Sequence, residues 1–190
     1  MKISTAASLL LVLSSMTLCA YAQTDAMPPE TTAPTQTAEP MKPPVPPSRA
    51  VDVTFEGKDI SLSVSDLLNM PQVTVQVHNA HRGGIPETYS GPLLSDVLAK
   101  IGLTATHETQ PLILHSVIIA TGTDHYYVLY SAAEVEPAFS LSKVIVAVMK
   151  NGLPNAEGGA IELINTDGAK PARWVHGLMG IAVMSLAPQK

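Results

Sequence analysis

Eight prolines crowd into the 28 residues from Gln23 to Ala50, with Thr, Ala and Glu filling most of the rest. Proline has no amide donor and holds φ near −65°, so this stretch builds neither helix nor sheet and predicts a semi-rigid extended spacer. The chain is thereby divided. Residues 1–22 lie on one side, and any hydrophobic core must come from residues 51–190, a length sufficient for one domain.

The first segment reads as an address. Met1 and Lys2 give a short positive start, and Ala6–Leu18 is almost wholly apolar or small. Ala20-Tyr21-Ala22 places small residues at −3 and −1 of a cleavage site, so residues 1–22 predict a secretory signal peptide cut after Ala22. The apolar run is short for a membrane span, and no run of about 20 apolar residues follows it. Leu18 stands before Cys19 where lipidation needs a small residue, which argues against a lipoprotein. The expected product is an exported chain, periplasmic or secreted, with no transmembrane segment after cleavage. Cys19 is the only cysteine, so the mature chain has none, which removes disulfides, Cys-rich zinc sites and iron–sulfur clusters. The whole chain carries 11 basic and 16 acidic residues, a poor match to nucleic acid.

Within residues 51–190 the pattern changes every few residues. Val51–Phe55 alternates as a strand, Glu56–Asp59 turns, and Ile60–Ser63 returns. Ser65–Met70 predicts a short helix stopped by Pro71, and Gln72–His78 a strand. Pro92–Ile101 predicts a helix closed by Gly102. Leu112–Ala120 reads as a buried central strand, followed by Tyr126–Tyr130 and a short helix bracketed by Ser131 and Glu134. Lys143–Lys150 predicts an apolar strand ending at the sharp Asn151-Gly152 turn. Ile161–Ile164 and Gly180–Leu186 are the last strands expected. Short strands and helices without regular βαβ spacing predict an α+β domain with a mixed sheet.

Several segments, in order, resemble a known family. They are Leu67-Leu68-Asn69-Met70-Pro71-Gln72-Val73-Thr74-Val75, and Thr88-Tyr89-Ser90-Gly91-Pro92-Leu93-Leu94-Ser95-Asp96-Val97-Leu98. Gly122–Tyr126 and Ala133–Phe139 come third. The fourth is Gly159–Ile164 with Asp167–Val175, similar to a Gly-Pro-x-Arg-Leu-Val and Arg-Trp-Val pattern. Together they resemble the molybdopterin-binding oxidoreductase domain of the sulfite oxidase family over nearly all of residues 60–186. The resemblance implies that fold, and it makes molybdopterin a possible cofactor. Competent members ligate molybdenum through a cysteine thiolate, which the mature chain lacks, so cysteine-ligated molybdenum is excluded and the resemblance implies fold more directly than oxidoreduction.

Two groups of side chains are candidates for chemistry. His78 and His81, three apart at a strand end, suit a shared metal, with His107, His115, His125 or His176 as completing ligands; the other reading is polar loop histidines. Arg82 beside Gly83-Gly84, Tyr89, Arg173, Trp174 and His176 form the second group. Arg82 and Arg173 supply local positive charge for a small anion, and Trp174 a stacking surface, in a domain with 8 basic and 13 acidic residues. The alternative for Arg173-Trp174 is a core tryptophan beside an arginine paired to a surface carboxylate. Three functions follow: a module binding a small anionic ligand or a periplasmic protein partner, a periplasmic molybdopterin-dependent oxidoreductase, or a His-based metal-binding module. N-terminal sequencing of exported protein should start at Gln23, and a start at Met1 would defeat the leader assignment.

Overall fold

The computed structural model describes residues 45–78, 84–167 and 171–186. Strand β1 (Ala50–Phe55) turns through Glu56 and Gly57, both at positive φ, into β2 (Lys58–Ser63). Ser63 then caps α1 (Val64–Leu68), exchanging hydrogen bonds with Asp66 in a capping box. After Pro71 the chain enters β3 (Val73–His78), which pairs antiparallel with β4 (Pro86–Gly91). Helix α2 (Leu94–Ala99) buries Leu94, Val97 and Leu98, and Gly102 at φ 91° lets the chain leave it.

Leu112–Ala120 is not one strand. Residues Gln110–Leu114 form helix α3, with Pro111 in its first turn, and only after His115 does β5 (Ser116–Gly122) begin. Proline at that position presets helical φ, while Leu112 and Ile113 would be apolar in either structure, so hydrophobicity alone could not decide. Strand β6 (Tyr127–Ser131) leads into α4 (Ala132–Val135), whose cap is the reciprocal Ser131–Glu134 box. The expected strand Lys143–Lys150 divides into β7 (Val144–Ala147) and β8 (Met149–Lys150). At the break, Val148 N–H donates to the Ser90 carbonyl at 3.0 Å. Asn151 and Gly152, both at positive φ, turn the chain into β9 (Leu153–Pro154). Strands β10 (Glu162–Asn165) and β11 (Leu178–Ser185) complete the domain.

The strands form three sheets. The largest has the order β2-β1-β11-β5-β6, with β1 and β11 parallel and its other pairs antiparallel. A second has the order β3-β4-β8-β9, and β7 pairs with β10 alone. Mixed sheets and short helices make this an α+β fold.

The β7–β10 ribbon is buried on both faces and separates two apolar clusters. Val144, Val146 and Val148 join the larger cluster with Leu163, whereas Ile145, Ala147 and Ile164 join the smaller one with Val75, Val77, Tyr89 and Trp174. Truncating such a side chain to alanine costs about 2–5 kcal/mol.

The packed domain starts earlier than the proline content predicts. Ser48 is buried, and both its amide and its hydroxyl donate to the Gly159 carbonyl. The Thr123 hydroxyl donates to Pro46 O at 2.5 Å, and Ala50 already belongs to β1. Proline forbids donating to a ladder but not accepting from a side chain, so the end of the 23–50 spacer is packed rather than free.

Glycine is required at one crossing. A Cβ on Gly91 would lie 2.0 Å from the Val146 carbonyl oxygen, where β4 passes over the ribbon. A Cβ on Gly180 in β11 meets nothing within 4 Å. Urea unfolding should therefore show Gly91→Ala destabilising the domain by about 2 kcal/mol or more, with Gly180→Ala within about 0.5 kcal/mol of wild type. Equal effects would contradict the crossing.

Candidate functional site

Strand β10 carries a charge where its neighbours are apolar. Glu162 stands among Ile161, Leu163 and Ile164 and is only 1% exposed. Burying a carboxylate costs several kcal/mol unless partners replace its water. Asn155 Nδ2 donates to its Oε2 at 2.9 Å, and His176 Nδ1 lies 2.8 Å from Oε1. The imidazole contact has ion-pair distance without hydrogen-bond alignment. The loop preceding β10 is shaped around this carboxylate. Asn155 Oδ1 accepts from Gly158 N–H, and a Cβ on Gly158 would sit 2.1 Å from Glu162 Oε2. Gly159, Ala160 and Gly177 all adopt positive φ there, and Gly177 N–H donates to Gly158 O at 2.7 Å.

Next to Glu162, Tyr89 is buried against Trp174 edge to face, with ring centroids 5.7 Å apart. Trp174 Nε1 donates to Asn165 O at 2.9 Å, and the Tyr89 hydroxyl donates to Glu87 Oε2 at 3.2 Å. Lys150, at the end of β8, reaches Glu87 at 2.8 Å and Glu157 at 2.9 Å, with its ammonium 5.4 Å from the Tyr89 ring centroid. Glu87, Lys150, Asn155 and Glu157 line a cleft of about 310 Å³ with Asn151 and Leu153.

Ionisation here is driven away from neutrality. Burial, and then the Glu162 charge, push the Tyr89 phenol up. Burial works against the Lys150 charge, but hydrogen bonds to Glu87 and Glu157 outweigh it and raise the ammonium's pKa. Tyr89 and Lys150 therefore keep their protons at physiological pH.

Of the residues singled out in the sequence, Tyr89 and Trp174 meet in the smaller cluster, and His176 reaches the same region through Glu162. Arg173 does not join them. Its guanidinium makes two hydrogen bonds to Glu134, at 2.8 and 3.2 Å, donates to Leu129 O, and lies 4.2 Å from the Tyr130 ring centroid. The Tyr130 hydroxyl donates to Arg173 O. Burial pushes the Tyr130 phenol up to about 12. Trp174 thus anchors a core while Arg173 pairs with a carboxylate, the second of the two readings of this dipeptide. His78 is exposed at the end of β3. His81 and Arg82 lie outside the described residues. Among the described residues, no three His, Cys, Asp or Glu side chains converge as a metal set, and no helix is long and apolar enough to cross a membrane.

Sequence reasoning missed Glu162, Lys150, Glu87 and Asn155. Glu162 left a signal: a charge inside an apolar strand.

No family model matches the chain, and no curated relative does. Solved structures do match. The sulfane dehydrogenase SoxCD from Paracoccus pantotrophus is similar with a TM-score of 0.55 at 17% identity, covering 73% of this chain. The fold is sulfite oxidase-like. At that identity the likeness carries architecture alone, and the chain covers 39% of the neighbour's length.

The Glu134–Arg173 pair has a pH signature. Arg173 holds the Glu134 carboxyl below its ordinary value of 4.5, against an opposing effect of partial burial. A carboxyl depressed on folding stabilises the fold above its unfolded pKa and loses that contribution as pH falls through the folded value. Both side chains are more than one third exposed, so the pair contributes about 1 kcal/mol or less. Glu134→Gln should lower stability by that amount at neutral pH, and the gap from wild type should narrow as pH falls below the ordinary value of 4.5. A gap constant with pH would refute the pairing.

Proposed function

We propose that this domain is an exported binding module that uses a sulfite oxidase-like fold to hold a small anionic ligand of the pterin-phosphate class, without thiolate-ligated molybdenum. One observation carries the reading: the fold is that of a sulfite oxidase family structure, yet no cysteine occurs between residues 20 and 190. The residues present do not fit thiolate ligation. Oxygen and nitrogen donors nearby would make a different metal centre with different chemistry.

The titration pattern supports binding over turnover. A general acid or base works best with a pKa near the operating pH. Tyr89 and Lys150 are both shifted the other way, which suits fixed donors. Glu87, Glu157 and Glu162 outnumber Lys150, and carboxylates accept from the amino and ring N–H edge of a pterin-like heterocycle. The anionic tail then needs positive charge from elsewhere. Of the two arginines singled out in the sequence, Arg173 is committed to Glu134, so Arg82 is the proposed partner for that tail.

Trp174 is the only tryptophan, so its fluorescence reports directly on the site. Titrating the full exported chain with a pterin phosphate should change that fluorescence saturably. Arg82→Ala should weaken binding about tenfold or more, from loss of a charged hydrogen bond of roughly 1.5–3 kcal/mol. Arg173→Ala should act mainly on stability. Stoichiometric molybdenum in protein purified from its native compartment, or a titration with no response, would overturn the proposal.

A further inference from the structure

The large sheet has one face on the core and the other open. Register and burial place Ser61, Asp52, Gly180, Thr121 and Tyr127 in one row across the open face, one residue from each of its five strands. At ~4.8 Å between strands the row is ~19 Å long. The next row contains Asp59, Thr54, Ala182, Ile119 and Leu129. A groove of about 570 Å³ lies over the first row, with Arg49 and Met179 in its lining. Its size is within the range of ~300–1,000 Å³ for small-molecule sites.

The polar groups of this groove are unspent. Around Glu162 and Lys150, and at Arg173, nearly every charged group has a partner. In the groove, the side chains of Arg49, Asp52, Thr54, Ser61 and Thr121 make no hydrogen bond or ion pair within the described domain. One cation and one anion cancel, so the groove has no net charge to attract an ion, in a chain of formal charge −5. Its floor is apolar and shallow because β11 presents Gly180 and then Ala182; the exposed Tyr127 pairs with Thr121 at the β6 end, beyond the groove's lining.

A neutral ligand with many hydroxyls and apolar ring faces matches this arrangement. In such a complex Asp52 would accept from vicinal hydroxyls, Arg49 and the Thr and Ser hydroxyls would donate, and the sugar's C–H face would lie on Gly180 and Met179. We propose that the open face of the large sheet is a binding groove for a neutral linear oligosaccharide, laid across the strands from Ser61 to Thr121. The site is separate from the Glu162 region and does not depend on the function proposed for it.

Gly180 makes the test clean. Open space surrounds its Cβ position, so Gly180→Leu fills the groove without disturbing the core. Amide-resolved NMR titration of the full chain with maltotetraose, cellotetraose and the tetramer of N-acetylglucosamine should give saturable shifts on β1, β11 and β5 with at least one probe. Asp52→Asn should weaken that binding about tenfold, and Gly180→Leu should abolish it while unfolding at the wild-type midpoint. No shifts with any probe at 10-fold molar excess up to ~10 mM, about −2.7 kcal/mol by affinity arithmetic, would overturn the proposal. Shifts elsewhere that survive Gly180→Leu would do so too, as would self-association on this face without saccharide binding.

Discussion

The domain depends on one constraint, the burial of the β7–β10 ribbon on both faces. Its side chains alternate between two clusters, so a slip of one residue would exchange the occupants of both cores at once. Around this ribbon the remaining pieces are placed by backbone contacts more than by bulk. Leu163 exchanges both bridge hydrogen bonds with Val175, and Leu93 bridges Ile145. The Val146 amide donates to Pro92 O beside the Gly91 crossing. These contacts bring Tyr89 from one sheet and Trp174 from the last connection onto the same side of the ribbon. The candidate site is therefore a by-product of how the two cores are divided.

Glu162 is where that arrangement carries a cost. An apolar residue in its place would complete the smaller cluster, yet the chain holds a carboxylate and shapes residues 155–160 and 176–177 to supply its partners. Ala160 at φ 68° adds local strain of about 1–3 kcal/mol. A fold that keeps a buried charge, a strained alanine and a glycine that can accept no Cβ at one end of one strand has departed from local consistency. Such departures concentrate at functional sites.

Much of this was legible in the sequence, and the failures have identifiable causes. The β1–β2 pair, α1, α2, the Asn151-Gly152 turn and the Ser131–Glu134 cap all have local chemistry that states their structure. Strand β4 did not, because Pro86-Glu87-Thr88-Tyr89-Ser90-Gly91 shows no apolar alternation. Its inward positions are Glu87, Tyr89 and Gly91, a partnered carboxylate, an aromatic and a required gap. The division of Leu112–Ala120 turned on Pro111 rather than on hydrophobicity. At the site, Tyr89 and Trp174 were brought together, with His176 beside Glu162 in the same region. Arg173 was not, because the side chain that claims it, Glu134, is 39 residues away and serves at the same time as a helix cap.

The same accounting of partners separates the two surfaces of the domain by chemistry. Around Glu162 and Lys150, the charged groups are held by partners and Tyr89 and Lys150 keep their protons, so a ligand there meets donors and acceptors already oriented by the fold. Preorganisation of that kind lowers the cost of ordering on binding and leaves little freedom to move a proton. On the open sheet face the polar groups are solvated and their orientation is set only by strand alternation. A ligand there must replace water at each group, so discrimination comes from matching many weak contacts in register with the ~4.8 Å strand spacing. The first surface favours one compact molecule held by few strong contacts. The second suits an extended one, and the regular spacing it offers is a property of the sheet itself rather than of any single residue.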